Sequence, residues 1–206
     1  MREAGALLPL MGSGSEESVF RFAILRYNRT AAPERQIWEK QGIGSIKEIK
    51  MERTVLNGKF ILSYPEEFQR MEESDLRKLT FLQAPAIALR DSDRHMVITA
   101  GWKKAGIACL MLSTEEIAGK TEKTIRAAMA EFGYQLEGFS RRMIGGRKAE
   151  GFRYRYTARD VGMIGESFVM KNRGSVYNIH LYTRDGLLYE NLPSWESILD
   201  SIRWEE

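Results

Sequence analysis

Seven basic side chains crowd into nineteen positions: Arg141, Arg142, Arg147, Lys148, Arg153, Arg155 and Arg159. The acids within reach in sequence are Glu150 and, just beyond, Asp160. In an extended chain successive side chains point to opposite faces. Arg153 and Arg155 therefore share one face, and Phe152, Tyr154 and Tyr156 share the other. With Arg141 on a neighbouring strand, the guanidinium groups are expected to form a stripe. Guanidinium forks match carboxylate and phosphate oxygens, so a stripe suits phosphates, an acidic peptide or an anionic polymer. The commoner fate of such a run is a solvated strand face, because basic positions also guard sheets against edge pairing. Single-stranded nucleic acid wants aromatics on the face that carries the arginines. The alternation separates them, so nucleic acid is set aside. The candidate binding residues are Arg141, Arg142, Arg153 and Arg155, and the expected occupant is an acidic protein partner.

The remaining reactive residues give less. His95 follows a charged turn and is expected to be exposed. His180 lies between Ile179 and Leu181, on the opposite strand face from both, and reads as a sheet-surface residue. No His, Cys, Asp and Glu spacing supplies converging metal ligands. A set of Ser175, His180 and Asp185 can be named, but no Gly-x-Ser-x-Gly elbow supports it. Cys109 sits in the apolar run Gly106 to Leu112 and reads as a buried structural thiol; with no second cysteine it forms no internal disulfide. Gly145-Gly146-Arg147-Lys148 lacks P-loop spacing and reads as a tight strand-to-strand turn. Gly162 and Gly165 mark a turn or bulge, with no dinucleotide fingerprint. The expectation is a protein without a catalytic site, metal or cofactor. The alternative is a small-ligand carrier or small enzyme with a pocket between sheet and long helix.

These residues need a scaffold. Nine Phe, eight Tyr and four Trp in 206 residues supply a core, each ring worth roughly 2–3 kcal/mol when fully buried. A net charge of +3 is too small to imply a nucleic-acid or membrane partner by itself. Gly151 to Trp204 reads as three strands and a closing helix. Trp195, Ile198, Leu199 and Ile202 recur at the spacing of one helix face. Upstream, Asn57-Gly58 between apolar runs predicts a hairpin. Tyr64-Pro65 ends its second strand, and a helix is expected from Pro65 to about Leu79. Ala86 to Leu89 and Met96 to Ala100 flank a polar turn and predict another hairpin. Ile107 to Leu112 is expected to extend it as a third strand. Thr114 is expected to cap the longest helix, with Ile117, Thr121, Ile125, Ala128, Met129 and Phe132 inward and Gly133 as its stop. Tyr134 to Ile144 returns as a strand. The fold class is α+β, an antiparallel β-sheet flanked by helices.

The order resembles a known family. A hairpin feeds Ser-Tyr-Pro-Glu-Glu-Phe (63–68), a long helix stands mid-chain, and a three-strand meander leads to Trp-Glu-Ser-Ile-Leu-Asp-Ser-Ile (195–202). This resembles the PsbP-like α/β/α sandwich over about residues 46–204. The resemblance implies a module that binds partner proteins or assists assemblies; it carries packing signatures and no active-site residues. Residues 1–45 are expected to be a partly flexible N-terminal extension, with linker composition at Gly12 to Glu17, and 46–206 the PsbP-like domain. No apolar run reaches the roughly 18–20 residues of a membrane span. With no lipobox cysteine or transit peptide, the chain as given is expected to be cytoplasmic, and exported if its true start lies upstream.

Overall fold

The structure, a computed structural model, describes residues 50–72 and 87–205. The expected N-terminal extension, with its linker, lies outside the described residues. So does most of the helix expected to reach Leu79.

Two antiparallel sheets form the frame. The small one joins β1 (Met51–Leu56), β2 (Phe60–Pro65) and β10 (Arg203–Trp204), in the order β1-β2-β10. The large one joins β3 (Gln69–Arg70), β4 (Ile87–Asp91), β5 (Met96–Lys104), β6 (Gln135–Ile144), β7 (Arg147–Ala158), β8 (Val161–Asn172) and β9 (Ser175–Arg184). Its order is β3-β4-β5-β9-β8-β7-β6. The meander read from 151 onward is β7, β8 and β9, followed by helix α3 (Leu188–Ser201). Antiparallel sheets flanked by helices make this an α+β fold.

Three tight turns set the meander. Gly145-Gly146, Arg159-Asp160 and Arg173-Gly174 all have positive φ, from 43° to 76°. Paired left-handed residues match the twist of the strands they join. Asn57 and Gly58 do the same between β1 and β2, at 54° and 59°. Gly162 and Gly165 were expected at a turn or bulge; both instead lie inside β8. Gly165 pairs with Tyr154 across the strands, and an added Cβ would collide with the tyrosine ring. The glycine is there to let the aromatic lie flat on the backbone.

One face of the large sheet carries α3 and the small sheet. Phe60, Leu62, Ile98, Phe168, Tyr177, Ile179 and Leu181 meet Trp195, Ile198, Leu199 and Ile202 in one cluster. The predicted stripe of the closing helix is therefore its buried face. The other face carries α2 (Thr114–Ala128), whose Ile125 and Met129 pack with Phe152 and Tyr154.

Several expectations are corrected. Ile107–Met111 is a short helix, α1, and not a strand. Ser113, not Thr114, caps α2: its Oγ accepts the Glu116 N–H at 3.1 Å, and Glu116 Oε2 accepts the Ser113 N–H at 2.7 Å. The inward face of α2 is Ile117, Ala118, Glu122, Ile125 and Met129, and Ala128 is exposed. Pro65 to Phe68 is a turn leading into β3, so no helix starts at Pro65. Gly133, in the left-handed region at φ 67°, closes the 3-10 turn Ala130–Phe132 that ends the α2 segment. No helix among the described residues is long and apolar enough to cross a membrane.

Trp195 is fully buried, and its indole N–H donates to Glu166 Oε2 at 2.7 Å. Trp195→Ala should lower unfolding free energy by about 3–5 kcal/mol, as large-to-small core changes do. Urea denaturation checks it; an unchanged midpoint would mean that α3 does not close the core.

Candidate anion-binding surface

The four predicted arginines divide between faces. Arg141 lies on the α2 face, bonded to Glu150 on β7 and to Glu115 on α2, the latter at 3.0 Å. Its hydrogen bond to the Glu150 carboxylate holds the guanidinium above the usual arginine range. Arg142, its neighbour in β6, points to the other face. There it meets Glu196 at 2.7 Å and Asp200 at 3.3 Å, both on α3, and lies over the Phe168 ring. Arg153 shares that face and donates to the buried carboxylate of Glu166 at 2.9 Å. Arg155 bonds to Glu137 and Asp185. Arg153 and Arg155 do share a face, as the alternation requires. Arg141 does not join them. Every one of the four is held by a carboxylate from another element, so they form ion pairs within the fold and not one open stripe.

The Ser-His-Asp set does not assemble. Ser175 and His180 lie five residues apart on β9, so they face opposite ways and stand roughly 17 Å apart along the strand. Asp185 is bonded to Arg155. Among the described residues no group of three His, Cys, Asp or Glu side chains converges. His180 is not a surface residue. It is buried on the α2 face, pairs across strands with Ser167 and Thr99, and stacks on Tyr182 at 6.1 Å. Neither ring nitrogen has a hydrogen-bond partner in the protein. Burial lowers its pKa to about 4. Cys109 is a free thiol, partly buried against the cluster of Ala105, Ile117 and Val169.

The unpaired cations are elsewhere, at one end of the sandwich. The strand registers bring the β6–β7 turn, the β8–β9 turn and the end of β5 to the same edge. Ala105 N–H bonds to Gly174 O at 2.8 Å, and Asn57 Nδ2 donates to the Tyr177 hydroxyl at 3.2 Å. These contacts add the start of α1 and the β1–β2 turn. Among the described residues the end thus carries Lys59, Lys103, Lys104, Arg147, Lys148, Arg173 and Arg203, with the carboxylate of Glu205 beside them. That carboxylate accepts from Arg53 at 3.2 Å. Turns at the opposite end mix signs: Asp91, Asp93 and Arg94; Arg159 and Asp160; Arg184 and Asp185.

Within the basic end lies a recess of about 300 Å³, lined by Gly145, Gly146, Arg147, Arg173, Arg203, Trp204 and Glu205. Arg147 and Arg173 make no ion pair with any described residue. Arg203 spends one nitrogen on the carbonyls of Asp200 and Ile202, which aims its fork and leaves its other N–H groups available. At the same end of the sandwich α1 projects an apolar tip: Ile107 and Met111 are each 84% exposed. Lys171 anchors this helix from β8, donating to the carbonyls of Leu110 at 2.9 Å and Leu112 at 2.8 Å. Sequence reading missed the recess because its cations come from two separate turns and the last strand. The signal present was Gly145-Gly146-Arg147, read correctly as a turn.

No protein-family model and no curated relative matches the chain. Solved structures do. The solution structure of cyanobacterial PsbP (CyanoP) from Synechocystis sp. PCC 6803 superposes with a TM-score of 0.59 at 14% identity, covering 80% of this chain and 98% of that one. The crystal structure of LpqN, involved in cell envelope biogenesis of Mycobacterium tuberculosis, gives a TM-score of 0.51 at 15% identity, covering 77% and 92%.

His180 supplies a pH test of the burial described above. Its folded pKa of about 4 lies below the ordinary 6.5, so protons bind the unfolded chain first. Its contribution is complete above pH 6.5 and declines as pH falls toward 4, by about 3 kcal/mol in all. His180→Phe should flatten that part of the stability profile, measured by urea unfolding from pH 7 to 4. An unchanged slope would show that the imidazole is not buried neutral.

Proposed function

With a PsbP-like α/β/α sandwich as the premise, we propose that this chain is a non-catalytic interaction module that recognises an acidic protein partner through the basic end of the sandwich. The observation that carries this is the contrast between paired and unpaired cations. Arg141, Arg142, Arg153 and Arg155 face carboxylates at hydrogen-bond distance and hold the fold. Arg147 and Arg173 have no such partner among the described residues, and they stand where cations outnumber carboxylates. A surface of this kind speeds encounter with an acidic partner and fixes its orientation. The α1 tip adds what charge alone lacks. Ile107 and Met111 offer apolar area that a partner can withdraw from water, the usual source of holding energy at interfaces. The partner that fits carries an acidic rim around an apolar depression.

The sheet–helix interface supports binding at the end over binding in the middle. Ile117, Ala118, Ile125 and Met129 fill the space over Phe152, Tyr154 and Val169. A carrier pocket between α2 and the sheet would have to displace them.

The test uses the full chain and a fluorescent peptide of alternating Glu and Leu. Lys104→Glu/Arg147→Glu/Arg173→Glu should weaken binding by about tenfold or more, and added salt should weaken the wild type. Lys120→Glu/Lys123→Glu, on the outer face of α2, removes as many charges per site and should leave affinity nearly unchanged. Equal losses in the two variants, or no binding by the wild type at low salt, would defeat the proposal. Anisotropy titration reads the affinity, and circular dichroism confirms that each variant is folded.

A further inference from the structure

The geometry points to a more specific occupant of the recess: we propose that it receives the phosphoryl group of a phosphorylated segment in the partner. This rests on the reading of the basic end as the recognition surface, and it goes beyond it by naming the chemistry. Three arginines line one recess, and they arrive from different elements: Arg147 at the start of β7, Arg173 in the β8–β9 turn and Arg203 in β10. A carboxylate has one charge and two oxygens, and one arginine fork satisfies it. A phosphate monoester carries close to two charges and three free oxygens near neutral pH. It is the common biological group that uses three convergent forks at once, and arginine clusters are a recurrent means of reading it.

The walls of the recess are fixed before any ligand arrives. Trp204 packs edge-on against Phe60 at 5.1 Å and Tyr177 at 4.9 Å. On its other side the indole lies against Gly145, where an added Cβ would stand 2.8 Å from the ring nitrogen. Only a glycine backbone lets the turn approach this closely. Arg203 is oriented by its two backbone carbonyls. The one acid among the described residues of the lining, Glu205, is tied at both ends: its N–H bonds to Lys59 O at 2.8 Å and its carboxylate to Arg53. Its charge is thus partly offset by Arg53. Arg147 and Arg173 make no ion pair with a described residue, so a phosphoryl group would not have to displace one there.

α1 leaves the same end of the sandwich from β5, and its exposed Ile107 and Met111 suit the apolar side chains of a peptide that runs on from a modified residue. A free inorganic anion would leave those contacts unused.

The experiment titrates the full chain with three peptides of one sequence, carrying phosphoserine, glutamate or serine at the central position. The phosphoserine peptide should bind about tenfold or more tightly than the glutamate peptide. Arg147→Gln/Arg173→Gln should erase that advantage, while Lys103→Gln/Lys104→Gln, outside the recess, should keep it. The Trp204 indole N–H signal should shift on binding of the phosphopeptide. Equal affinity for the phosphoserine and glutamate peptides overturns this inference and leaves the acidic-partner reading standing. Loss of binding to both overturns the two together. Inorganic phosphate, or vesicles containing phosphatidic acid, binding more tightly than the phosphopeptide would also overturn it, since the occupant would then be a free anion or a lipid headgroup.

Discussion

The carboxylate of Glu166 stands between the large sheet and α3, buried to 6% exposure. A charge in that position is costly unless neighbours satisfy it, and removing one partner leaves the cost without the compensation. Here Arg153, its direct cross-strand pair, supplies the positive charge at 2.9 Å, and the indole of Trp195 supplies a donor at 2.7 Å. The arrangement has one solution. Arg153 opposite Glu166 fixes the register of β7 on β8, since a one-residue slip would turn one of them to the other face. Trp195 against Glu166 fixes the rotation of α3, since its apolar stripe must then fall on Phe168, Ile179 and Leu181. Hydrophobic burial supplies the larger share of stability, but it tolerates sliding. The buried carboxylate does not.

From that anchor the two faces of the sheet follow. Arg153 and Arg155 take the α3 side, so Phe152, Tyr154 and Tyr156 take the α2 side. Tyr154 then lies across Gly165, stacked between Tyr134 and Phe152. Aromatic rings laid over a glycine restore the cover that a missing side chain would leave open. His180 and Ser167 share this side, deep enough that burial alone keeps the imidazole neutral well below its ordinary range. A strand histidine between two apolar residues looks the same in sequence whether the face opposite them is wet or dry. That is why the surface reading failed there.

The legible parts were those where one local rule dominates. Alternation gave the meander, the 3.6 period gave the inner face of α3, and Asn57-Gly58 gave its hairpin. The parts that failed depended on partners distant in the chain. Arg159-Asp160 and Arg173-Gly174 turn tightly with positive φ at Arg159 and Arg173, a residue type that composition does not mark as a turn former. Ile107–Met111 is apolar enough for a strand and is instead a short helix that ends at Leu112 and is anchored by Lys171. The arginine cluster was real in sequence and misleading in space. Apart from Glu150, its carboxylates come from Glu115, Glu137, Glu166, Asp185, Glu196 and Asp200, none of which lies in the cluster.

The same topology gathers unpaired cations at one end. A cation in the middle of a strand has a cross-strand neighbour at about 5 Å and a helix above it, so partners lie within reach. A cation in a two-residue turn has solvent on most sides and meets a partner only if another turn brings one. Here the turns that meet at the β6–β7 edge bring cations alone, apart from Glu205. Repulsion among them costs stability that the fold could have avoided by a single acidic turn residue, and the opposite end, with Asp93, Asp160 and Asp185, does avoid it. A net charge of +3 therefore hides a polarised molecule. Its field is strongest where the backbone is most tightly fixed, at Gly145 against Trp204, and a rigid wall carrying unneutralised forks is what an incoming anion needs.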